Sequence, residues 1–285
     1  MIKEIAYAKI NIGLNIIDKR SDGYHNIDTI MQSITLFDEI ILEKSPGITI
    51  TCPVKEIPLD ETNTAYKAAN SFFKRACIDF YKTGVQIHIV KNIPSKAGLG
   101  GGSSDAAAVL HGLNKIYSTN YSTTILRELA LEVGSDVPFC IEGGTQRALG
   151  RGEILKKLTG FDNTDLVVLM PNESVDTKNA YMLFSKTPKP YHPNMNSIET
   201  AVINKNITEL GLCMGNTFEH LVFPDKPLIE KAMHDILNTG AKAGSMTGSG
   251  SAVFGFFQSY EEAFAAFLKL KGKYLAYIAK TKGEI

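Results

Sequence analysis

Four glycines and two adjacent serines stand in the segment Pro94-Ser95-Lys96-Ala97-Gly98-Leu99-Gly100-Gly101-Gly102-Ser103-Ser104-Asp105. An alternating stretch at 85–90 precedes it and predicts a strand, and an Ala-rich stretch from Asp105 follows it and predicts a helix. Glycine lets the backbone adopt positive φ and approach a ligand closely, and the unpaired N–H groups at a helix start attract an anion. The segment therefore predicts a phosphate-binding loop; the alternative is a flexible surface loop ahead of a helix.

The glycine spacing excludes three well-known nucleotide-binding motifs. No G-x-x-x-x-G-K-[ST] sequence occurs in the chain, and Ser103 stands where the dinucleotide pattern that starts at Gly98 requires another glycine or alanine. Neither H-R-D nor D-F-G occurs, so the protein-kinase motifs are missing as well. The segment Pro94–Asp105 therefore matches none of these three motifs.

The composition is that of a globular protein without excess charge. The chain has 285 residues, with 30 Lys and Arg against 30 Asp and Glu, and 44% are hydrophobic. A neutral balance argues against a protein whose main task is to bind the nucleic-acid backbone, and no run reaches the roughly 18 to 20 apolar residues of a membrane helix. We expect a cytoplasmic protein of one large domain or two that share a cleft, binding neither nucleic acid nor membrane.

The cysteines and histidines show no metal-binding pattern. The four cysteines include no C-x-x-C pair, and the six histidines form no H-E-x-x-H sequence. Isolated cysteines are typical of reduced thiols in the cytosol. We therefore predict no structural zinc site, and the sequence leaves the ligands of any catalytic metal open.

Strand and helix patterns are mixed along the chain without strict alternation, which favours α+β architecture with mainly antiparallel sheet. Strands are predicted at 5–16, 29–43, 47–52, 85–90, 165–170 and 252–257. Helices are predicted at 63–81, from 105, at 122–133, in a short segment after 135–136, and at 198–213, 227–239 and 260–271. The segment 185–197 contains three prolines and is predicted to be an exposed loop.

Three motifs resemble those of one kinase superfamily, which comprises the galactokinases, homoserine kinases, mevalonate kinases and phosphomevalonate kinases (GHMP). Pro94–Ser104 resembles its ATP loop, Gly134–Phe139 its middle motif with a catalytic aspartate, and Gly244–Phe254 its C-terminal glycine motif. The resemblance implies a ribosomal protein S5-like N-terminal domain, here 1–155, and a ferredoxin-like C-terminal domain, here 156–285. The active site is expected between them.

Within this superfamily, further segments are similar to the 4-diphosphocytidyl-2-C-methyl-D-erythritol kinase family of the non-mevalonate isoprenoid pathway. They are Ala8–Asn11, Arg20–His25, Gly144-Thr145 with Arg147, and Gly150–Glu153. The resemblance implies a transferase that uses ATP and Mg²⁺ to phosphorylate the 2-hydroxyl of a cytidine diphosphate conjugate of methylerythritol. The alternatives are a homoserine or mevalonate type of kinase, or an inactive nucleotide-binding regulator. The sequence does not decide between a monomer and a homodimer.

Lys9 and Asp136 are the expected catalytic residues, although their local sequence alone suggests otherwise. Lys9 alternates with Ile10 and Ile12, which favours a solvated lysine on the polar side of a strand. Asp136 could equally cap a short helix. The resemblance implies that Lys9 orients the acceptor hydroxyl and pairs with Asp136. A carboxylate is a weak base, so we expect the hydroxyl proton to leave late and positioning to supply most of the rate.

The resemblance also implies which residues bind the acceptor. Tyr24 would stack on the cytosine, His25 would bind its edge mainly through backbone groups, and Asn11 would donate to the methylerythritol hydroxyls. Tyr181 is the candidate for an opposing aromatic face, with Phe184 as the alternative, although core packing is favoured for Phe184. The residues alone also allow Tyr24 and His25 to be an ordinary hairpin pair.

The ATP-binding residues implied by the resemblance are the eleven of the phosphate loop, which we define as Pro94–Ser104. They are Pro94, Ser95, Lys96, Ala97, Gly98, Leu99, Gly100, Gly101, Gly102, Ser103 and Ser104. Ser103 and Ser104 are both candidates to contact phosphate or magnesium, and the sequence does not decide which one reaches the metal. Lys96 is expected to contact either a phosphate or water.

Overall fold

Two sheets with helices packed against them make up the computed structural model, which describes residues 1–285. The strands of the first sheet are β1 (Ile2–Lys19), β2 (His25–Ser45), β3 (Ile48–Thr51), β4 (Gly84–Val90), β5 (Thr145–Gly150) and β6 (Ile154–Lys157). β1 pairs along one edge of the central strand β2, while β5 and then β4 pair along the other. All pairs are antiparallel except β3 with β4.

The hairpin of β1 and β2 is longer than the sequence predicts. Its strands have 18 and 21 residues. The predicted strands are shorter because the apolar alternation ends at polar residues such as Asp18 and Asn26. These two pair across the strands instead, with Asn26 Nδ2 donating to Asp18 Oδ1 at 2.7 Å. Tyr24 and His25, which are predicted to bind the acceptor, therefore lie where this long hairpin turns.

Four helices pack with the first sheet: α1 (Thr64–Ala76), α2 (Gly101–Ile116), α3 (Thr123–Val133) and α4 (Val137–Glu142). Val109 and Leu110 of α2 share one buried core with Ile40 and Leu42 of β2. α2 begins at Gly101, earlier than the start expected at Asp105, because the left-handed conformation of Gly100 ends the loop and the next residues already form the first turn. Part of the phosphate loop is thus the helix N-terminus itself.

The second sheet contains four antiparallel strands in the order β10-β7-β9-β8. They are β7 (Asp165–Met170), β8 (Ala243–Met246), β9 (Val253–Phe256) and β10 (Leu275–Lys280). The sequence predicts β7 and β9, and β8 and β10 were missed. β8 is short and glycine-containing, and β10 has an exposed leucine at its start, so neither shows a clear pattern.

Six helices and one 3₁₀ turn at Phe223–Asp225 accompany the second sheet. The helices are α5 (Thr177–Lys186), α6 (Met195–Ile203), α7 (Ile207–Cys213), α8 (Thr217–Val222), α9 (Pro227–Leu237) and α10 (Tyr260–Leu270). The single helix predicted at 198–213 is wrong, because Lys205 has positive φ and Asn206 caps a new helix by accepting from Glu209 N–H. None of the helices is both long and apolar enough to cross a lipid bilayer.

The two sheets share a buried core, and the chain returns to the first sheet after it has completed the second. Ile10 and Ile12 of β1 lie in one buried cluster with Val168 and Phe254 of the second sheet. After β10 the chain returns to the first sheet, where Lys282 N–H donates to the Ser33 carbonyl at 2.8 Å. β6 runs across residue 155, where the sequence places the boundary between two domains. The chain therefore connects the two sheets at both ends of the cleft between them.

Candidate active site

The edge of β1 that faces away from β2 holds two glycine-rich segments side by side. The register with β2 shifts just before Lys9 and just after Asn11. Lys9 N–H donates to the Leu99 carbonyl of the phosphate loop at 2.9 Å, and Asn11 N–H donates to the Thr247 hydroxyl at 3.1 Å. Thr247 opens the segment Thr247–Ser251, which we call the glycine turn. β1 thus brings both segments to the same place in the cleft.

Two positions of the phosphate loop accept only glycine. Gly98 and Gly100 have φ of 77° and 69°. A Cβ atom on Gly98 would lie 2.1 Å from the Thr247 carbonyl oxygen, and one on Gly100 would lie 2.8 Å from Lys9 Cγ. No side chain caps α2, which begins directly after Gly100. The first-turn N–H groups and the helix dipole are therefore available to an anion.

A cavity of about 370 Å³ opens beside the start of α2, and we call it the nucleotide cavity. Its lining comprises Glu56–Pro58, Thr62–Thr64, Lys91, Pro94–Ser103 and Asp105. Ten of the eleven predicted phosphate-loop residues line this space. The segments 56–58 and 62–64 were missed, because neither contains a recognisable motif; the second ends at Thr64, where α1 begins.

Ser104 is the one residue of the predicted set that lies elsewhere. It is buried, and its hydroxyl donates to the Tyr7 carbonyl at 2.6 Å. Its expected role as a phosphate or magnesium contact is therefore corrected, since α2 turns this side chain toward β1. Ser103, one position earlier, lines the nucleotide cavity. Lys96 is exposed on the same rim with φ of 55°.

Two buried charged side chains, Lys91 and Asp105, form the floor of the nucleotide cavity and join Asp38 in a cluster of three. Lys91 Nζ lies 2.8 Å from Asp105 Oδ2 and also contacts Asp38. Burial raises the pKa of Asp105, and the Lys91 ammonium opposes that rise. Asp105 Oδ1 has no hydrogen-bond partner. No group of three or more His, Cys, Asp or Glu side chains is arranged to hold a metal ion.

Lys9 lies buried in the cleft, contrary to the solvated position that its strand alternation favours. Its side chain is only 5% exposed, and its Nζ lies 3.5 Å from Asp136 Oδ2. The alternation fails because both faces of β1 are covered here: Ile10 and Ile12 pack on the second sheet, and the phosphate loop covers Lys9. Asp136 stands at the cap position of α4, but its side chain makes no capping bond. The Asp136 carboxylate is therefore free for Lys9 and for a ligand.

Asn11 orients the Lys9 ammonium. Its Oδ1 accepts from Lys9 Nζ at 2.8 Å, and its Nδ2 donates to Thr29 Oγ1 at 2.8 Å. Thr29 Oγ1 in turn donates to the Gly13 carbonyl at 2.7 Å. These bonds use only one of the two Nδ2 hydrogens, so the expected role of Asn11 as a donor to the acceptor stays a prediction.

A second cavity, of about 810 Å³, lies on the other side of the phosphate loop, and we call it the acceptor cavity. Its lining includes Lys9, Asn11, Tyr24, His25, Asp136 and Tyr181 from the predicted set. It also includes Lys19, Thr177 and Lys178, which the sequence analysis missed, and Arg151 and Ser249, which it noted only as parts of motifs. These five residues come from distant parts of the chain, and no single motif contains them. Thr177 Oγ1 and Ser249 Oγ lie 2.8 Å apart and link α5 to the glycine turn.

Two aromatic residues of the acceptor cavity stack on each other. His25 is buried and stacks on Tyr181, with ring centroids 4.7 Å apart and planes inclined by 24°. Burial and nearby Lys19 lower the pKa of His25, which keeps the imidazole neutral at pH 7. The expected role of Tyr181 as an aromatic face opposite Tyr24 stays a prediction, and the structure adds His25 as its stacking partner. Phe184 packs in the core.

The phosphate loop separates the two cavities and belongs to both. Gly98 and Gly100 line the nucleotide cavity on one side and the acceptor cavity on the other. A phosphate bound at the start of α2 would therefore lie next to a group held by Lys9 and Asp136. This arrangement suits the transfer of a phosphoryl group from one ligand to another.

Comparisons with known proteins agree with this geometry. The family models for the GHMP kinases N terminal domain and GHMP kinases C terminal match residues 63–144 and 198–276. A 4-diphosphocytidyl-2-C-methyl-D-erythritol kinase of Clostridium perfringens is 42% identical, with 98% of both chains covered. The protein of the same name from Acetivibrio thermocellus is 39% identical over 93% of each chain.

Solved structures extend the match to the fold. The crystal structure of a 4-(cytidine 5'-diphospho)-2C-methyl-D-erythritol kinase superposes with a TM-score of 0.84 at 31% identity, over 99% of this chain and 100% of that chain. A homoserine kinase from Cytophaga hutchinsonii, at 20% identity, shares the fold with a TM-score of 0.76, over 99% of this chain and 95% of that chain. The predicted two-part α+β fold is confirmed. The chain belongs to the 4-diphosphocytidyl-2-C-methyl-D-erythritol kinase family of the GHMP kinases.

Proposed function

We propose that this chain transfers the γ-phosphoryl group of ATP to the 2-hydroxyl of 4-diphosphocytidyl-2-C-methyl-D-erythritol and releases ADP. The product is the 2-phosphate, an intermediate in non-mevalonate isoprenoid precursor biosynthesis. One observation carries the proposal: the phosphate loop is shared by two cavities, one beside a helix N-terminus and one containing the Lys9–Asp136 pair. One chain lines both cavities, so the proposal requires no partner subunit. We place the reaction in the cytoplasm, where ATP is available.

ATP fits the nucleotide cavity with its phosphates toward the start of α2. The first-turn N–H groups there are uncapped, and Gly98 and Gly100 let the backbone approach the phosphates closely. The segments 56–58 and 62–64 complete the lining, and the nucleoside would lie against them. The γ-phosphoryl group is then directed toward the acceptor cavity.

Mg²⁺ belongs to the proposal because it neutralises the β- and γ-phosphates in phosphoryl transfer. The Ser103 hydroxyl lines the nucleotide cavity, and Asp105 Oδ1 is buried without a partner beside it. Mg²⁺ prefers such oxygen ligands and is usually bound through one or two carboxylates together with substrate phosphates. The residues present therefore fit an ion held mainly by ATP.

Lys9 and Asp136 act on the acceptor hydroxyl. The Lys9 ammonium orients the hydroxyl oxygen and stabilises the negative charge that develops on the transferred group. The hydroxyl oxygen forms a bond to the γ-phosphorus, the bond from that phosphorus to the β–γ bridging oxygen breaks, and the hydroxyl proton passes to Asp136. Because a carboxylate is a weak base, this proton leaves late, and positioning with charge stabilisation supplies most of the rate.

The far end of the acceptor cavity suits a pyrimidine nucleotide. Tyr24 presents an exposed aromatic ring there, and the backbone of His25 lies beside it at the tip of the hairpin. Lys19 and Lys178 place two positive charges on the cavity wall, which favours a diphosphate. Homoserine and mevalonate have neither a base to stack on an aromatic ring nor a diphosphate, and one cation would serve the carboxylate of either.

The decisive experiment measures ADP release by the purified protein with ATP and Mg²⁺. Three acceptors are supplied separately: 4-diphosphocytidyl-2-C-methyl-D-erythritol, mevalonate and homoserine. We expect turnover with the first alone. Activity on only mevalonate or homoserine would overturn the proposal, and ATP binding without turnover on any acceptor would favour an inactive regulator.

A further inference from the structure

Arg151 occupies a fixed position in the turn between β5 and β6. Its N–H donates to Glu153 Oε2 at 2.5 Å, and its Nε lies 3.9 Å from Glu153 Oε1. The flanking Gly150 and Gly152 have φ of 73° and 115°, which permits this tight turn. Glu153 thus restrains both the backbone and the side chain of Arg151.

The guanidinium of Arg151 covers the ring of Tyr24. Its central carbon lies 4.9 Å from the ring centroid, within the range of a cation–π contact. Tyr24 takes part in no aromatic pair, and its side chain is 54% exposed. Its backbone is fixed by the turn, since Arg20 N–H donates to the Tyr24 carbonyl at 2.8 Å and Tyr24 N–H donates to Asp22 Oδ1 at 3.1 Å. Arg151 is therefore the cation packed on an otherwise exposed ring.

An aromatic ring has two faces, and the guanidinium occupies one of them. Arg151 and Tyr24 both line the acceptor cavity. A ring held from one side loses less conformational freedom when a base stacks on the other side, so the contact preorganises the ring for binding. Arginine suits this task because its planar guanidinium stacks on aromatic rings, whereas a lysine ammonium is a compact point charge.

We propose that Arg151 is a positioning residue for the acceptor, holding Tyr24 so that its opposite face stacks on the pyrimidine of a cytidine diphosphate conjugate. The inference rests on the proposed function, because it assigns the acceptor cavity to such a nucleotide. This positioning role differs from a direct charge effect, in which Arg151 would simply attract the diphosphate together with Lys19 and Lys178.

A double-mutant cycle separates these two roles. Arg151→Gln is expected to raise KM for 4-diphosphocytidyl-2-C-methyl-D-erythritol by about two- to fivefold, the fold-change of an exposed cation–π contact, while kcat and KM for ATP stay unchanged. Tyr24→Leu is expected to raise the same KM by about tenfold, as expected from the loss of base stacking. In the Tyr24→Leu background, Arg151→Gln is expected to have no further effect.

Lys178→Gln is the matched comparison, since it removes a positive charge from the same cavity wall without touching Tyr24. Its effect on KM is expected to persist in the Tyr24→Leu background and to shrink at high salt. The thermal midpoint of each variant shows whether the fold is intact, and Arg151→Lys serves as a second substitution if Arg151→Gln unfolds.

Additive effects of Arg151→Gln and Tyr24→Leu would overturn the inference in favour of direct attraction of the diphosphate. An unchanged KM in Arg151→Gln, with normal turnover by the unmodified protein, would overturn this inference alone. No turnover by the unmodified protein would overturn the proposed function first and this inference with it.

Discussion

The nucleotide cavity and the acceptor cavity are built in different ways. The nucleotide cavity takes its residues from 56–105, and ten consecutive phosphate-loop residues form one wall. The acceptor cavity takes residues from Lys9 to Ser249, mainly from β1, β2, α5, α8 and the turns between elements. The first is mainly formed by one local segment of backbone, whereas the second exists only after distant parts of the chain have packed. The proposed phosphate site is thus encoded locally, and the proposed choice of acceptor is encoded by the tertiary structure.

The largest effect is expected from the catalytic pair of the acceptor cavity. Asp136→Asn and Lys9→Met should each lower kcat by about 10²- to 10⁴-fold, because they remove the proton acceptor or the orienting ammonium. Neither residue lines the nucleotide cavity, so ATP affinity should stay near normal. Turnover and ATP binding by calorimetry measure the two effects separately. Asp79→Asn, at an exposed carboxylate that lines neither cavity, is the control.

An equal loss of ATP binding in Asp136→Asn would show that the two cavities are not independent. Near-normal turnover in either catalytic variant would contradict the assigned roles of Lys9 and Asp136.

The next effect tests the floor of the nucleotide cavity. Lys91→Met should lower the free energy of unfolding by about 3–5 kcal/mol, because it leaves the buried carboxylates of Asp38 and Asp105 without their ammonium. Urea denaturation measures the change. The control is Lys115→Met, since the Lys115 side chain is 59% exposed in its ion pair with Glu4. That exposed pair should contribute no more than about 1 kcal/mol.

If Lys91→Met were no more destabilising than Lys115→Met, the cluster below the phosphate loop would not be a structural support. The nucleotide cavity would then depend on the loop backbone alone.

A pH-dependent effect is expected at Glu219, which anchors the strand leading to the glycine turn. Its Oε1 accepts from Ser245 Oγ and from Met246 N–H, each at 2.7 Å. Burial raises the pKa of Glu219 from 4.5 to about 7, although these two bonds oppose the rise. Between these values the folded protein keeps a proton that the unfolded chain has lost. Stability is therefore greatest below the lower value and falls as pH rises through the higher one.

This difference corresponds to about 3 kcal/mol, at about 1.4 kcal/mol per pKa unit. Glu219→Gln keeps the shape and removes the titration. The stability advantage of the unmodified protein over this variant should therefore shrink by that amount between pH 5 and pH 8 in urea denaturation. A difference that does not change with pH would show that Glu219 is already ionised in the folded protein.

The smallest effect is expected in the phosphate loop, where two glycine variants distinguish the strain of a positive φ from a steric contact with Lys9. Gly100→Ala and Gly240→Ala both place alanine at positive φ, which should cost about 1–2 kcal/mol of stability. A Cβ at Gly240 meets nothing within 4 Å, whereas one at Gly100 meets Lys9. Only Gly100→Ala should therefore also lose turnover, by about tenfold or about 1.4 kcal/mol. Equal turnover in the two variants would mean that the loop does not position Lys9.

The accuracy of the sequence predictions follows the same division between the cavities. The phosphate loop lines the nucleotide cavity except at Ser104, which helical geometry turns away from it. The predicted contacts of Asn11 and Tyr181 with the substrate stay predictions, and the structure adds a partner for each. Asn11 accepts from Lys9, two positions earlier on the same strand, whereas the stacking of Tyr181 on His25 joins residues far apart in sequence. Arg151 was noted only as part of a motif, because its contact with Tyr24 joins two turns far apart in sequence.

The amino-acid sequence by itself determined the segment that we propose to bind phosphate, since glycines followed by a helix start create an anion site through backbone N–H groups and a dipole. It also determined the family, through short motifs spread along the chain. Only the tertiary structure decided the burial of Lys9, the orientation of Asn11 and the wall of the acceptor cavity. The physical reason is that a backbone site needs neighbours close in sequence, whereas side-chain contacts depend on the packing of strands and turns that are distant in the chain.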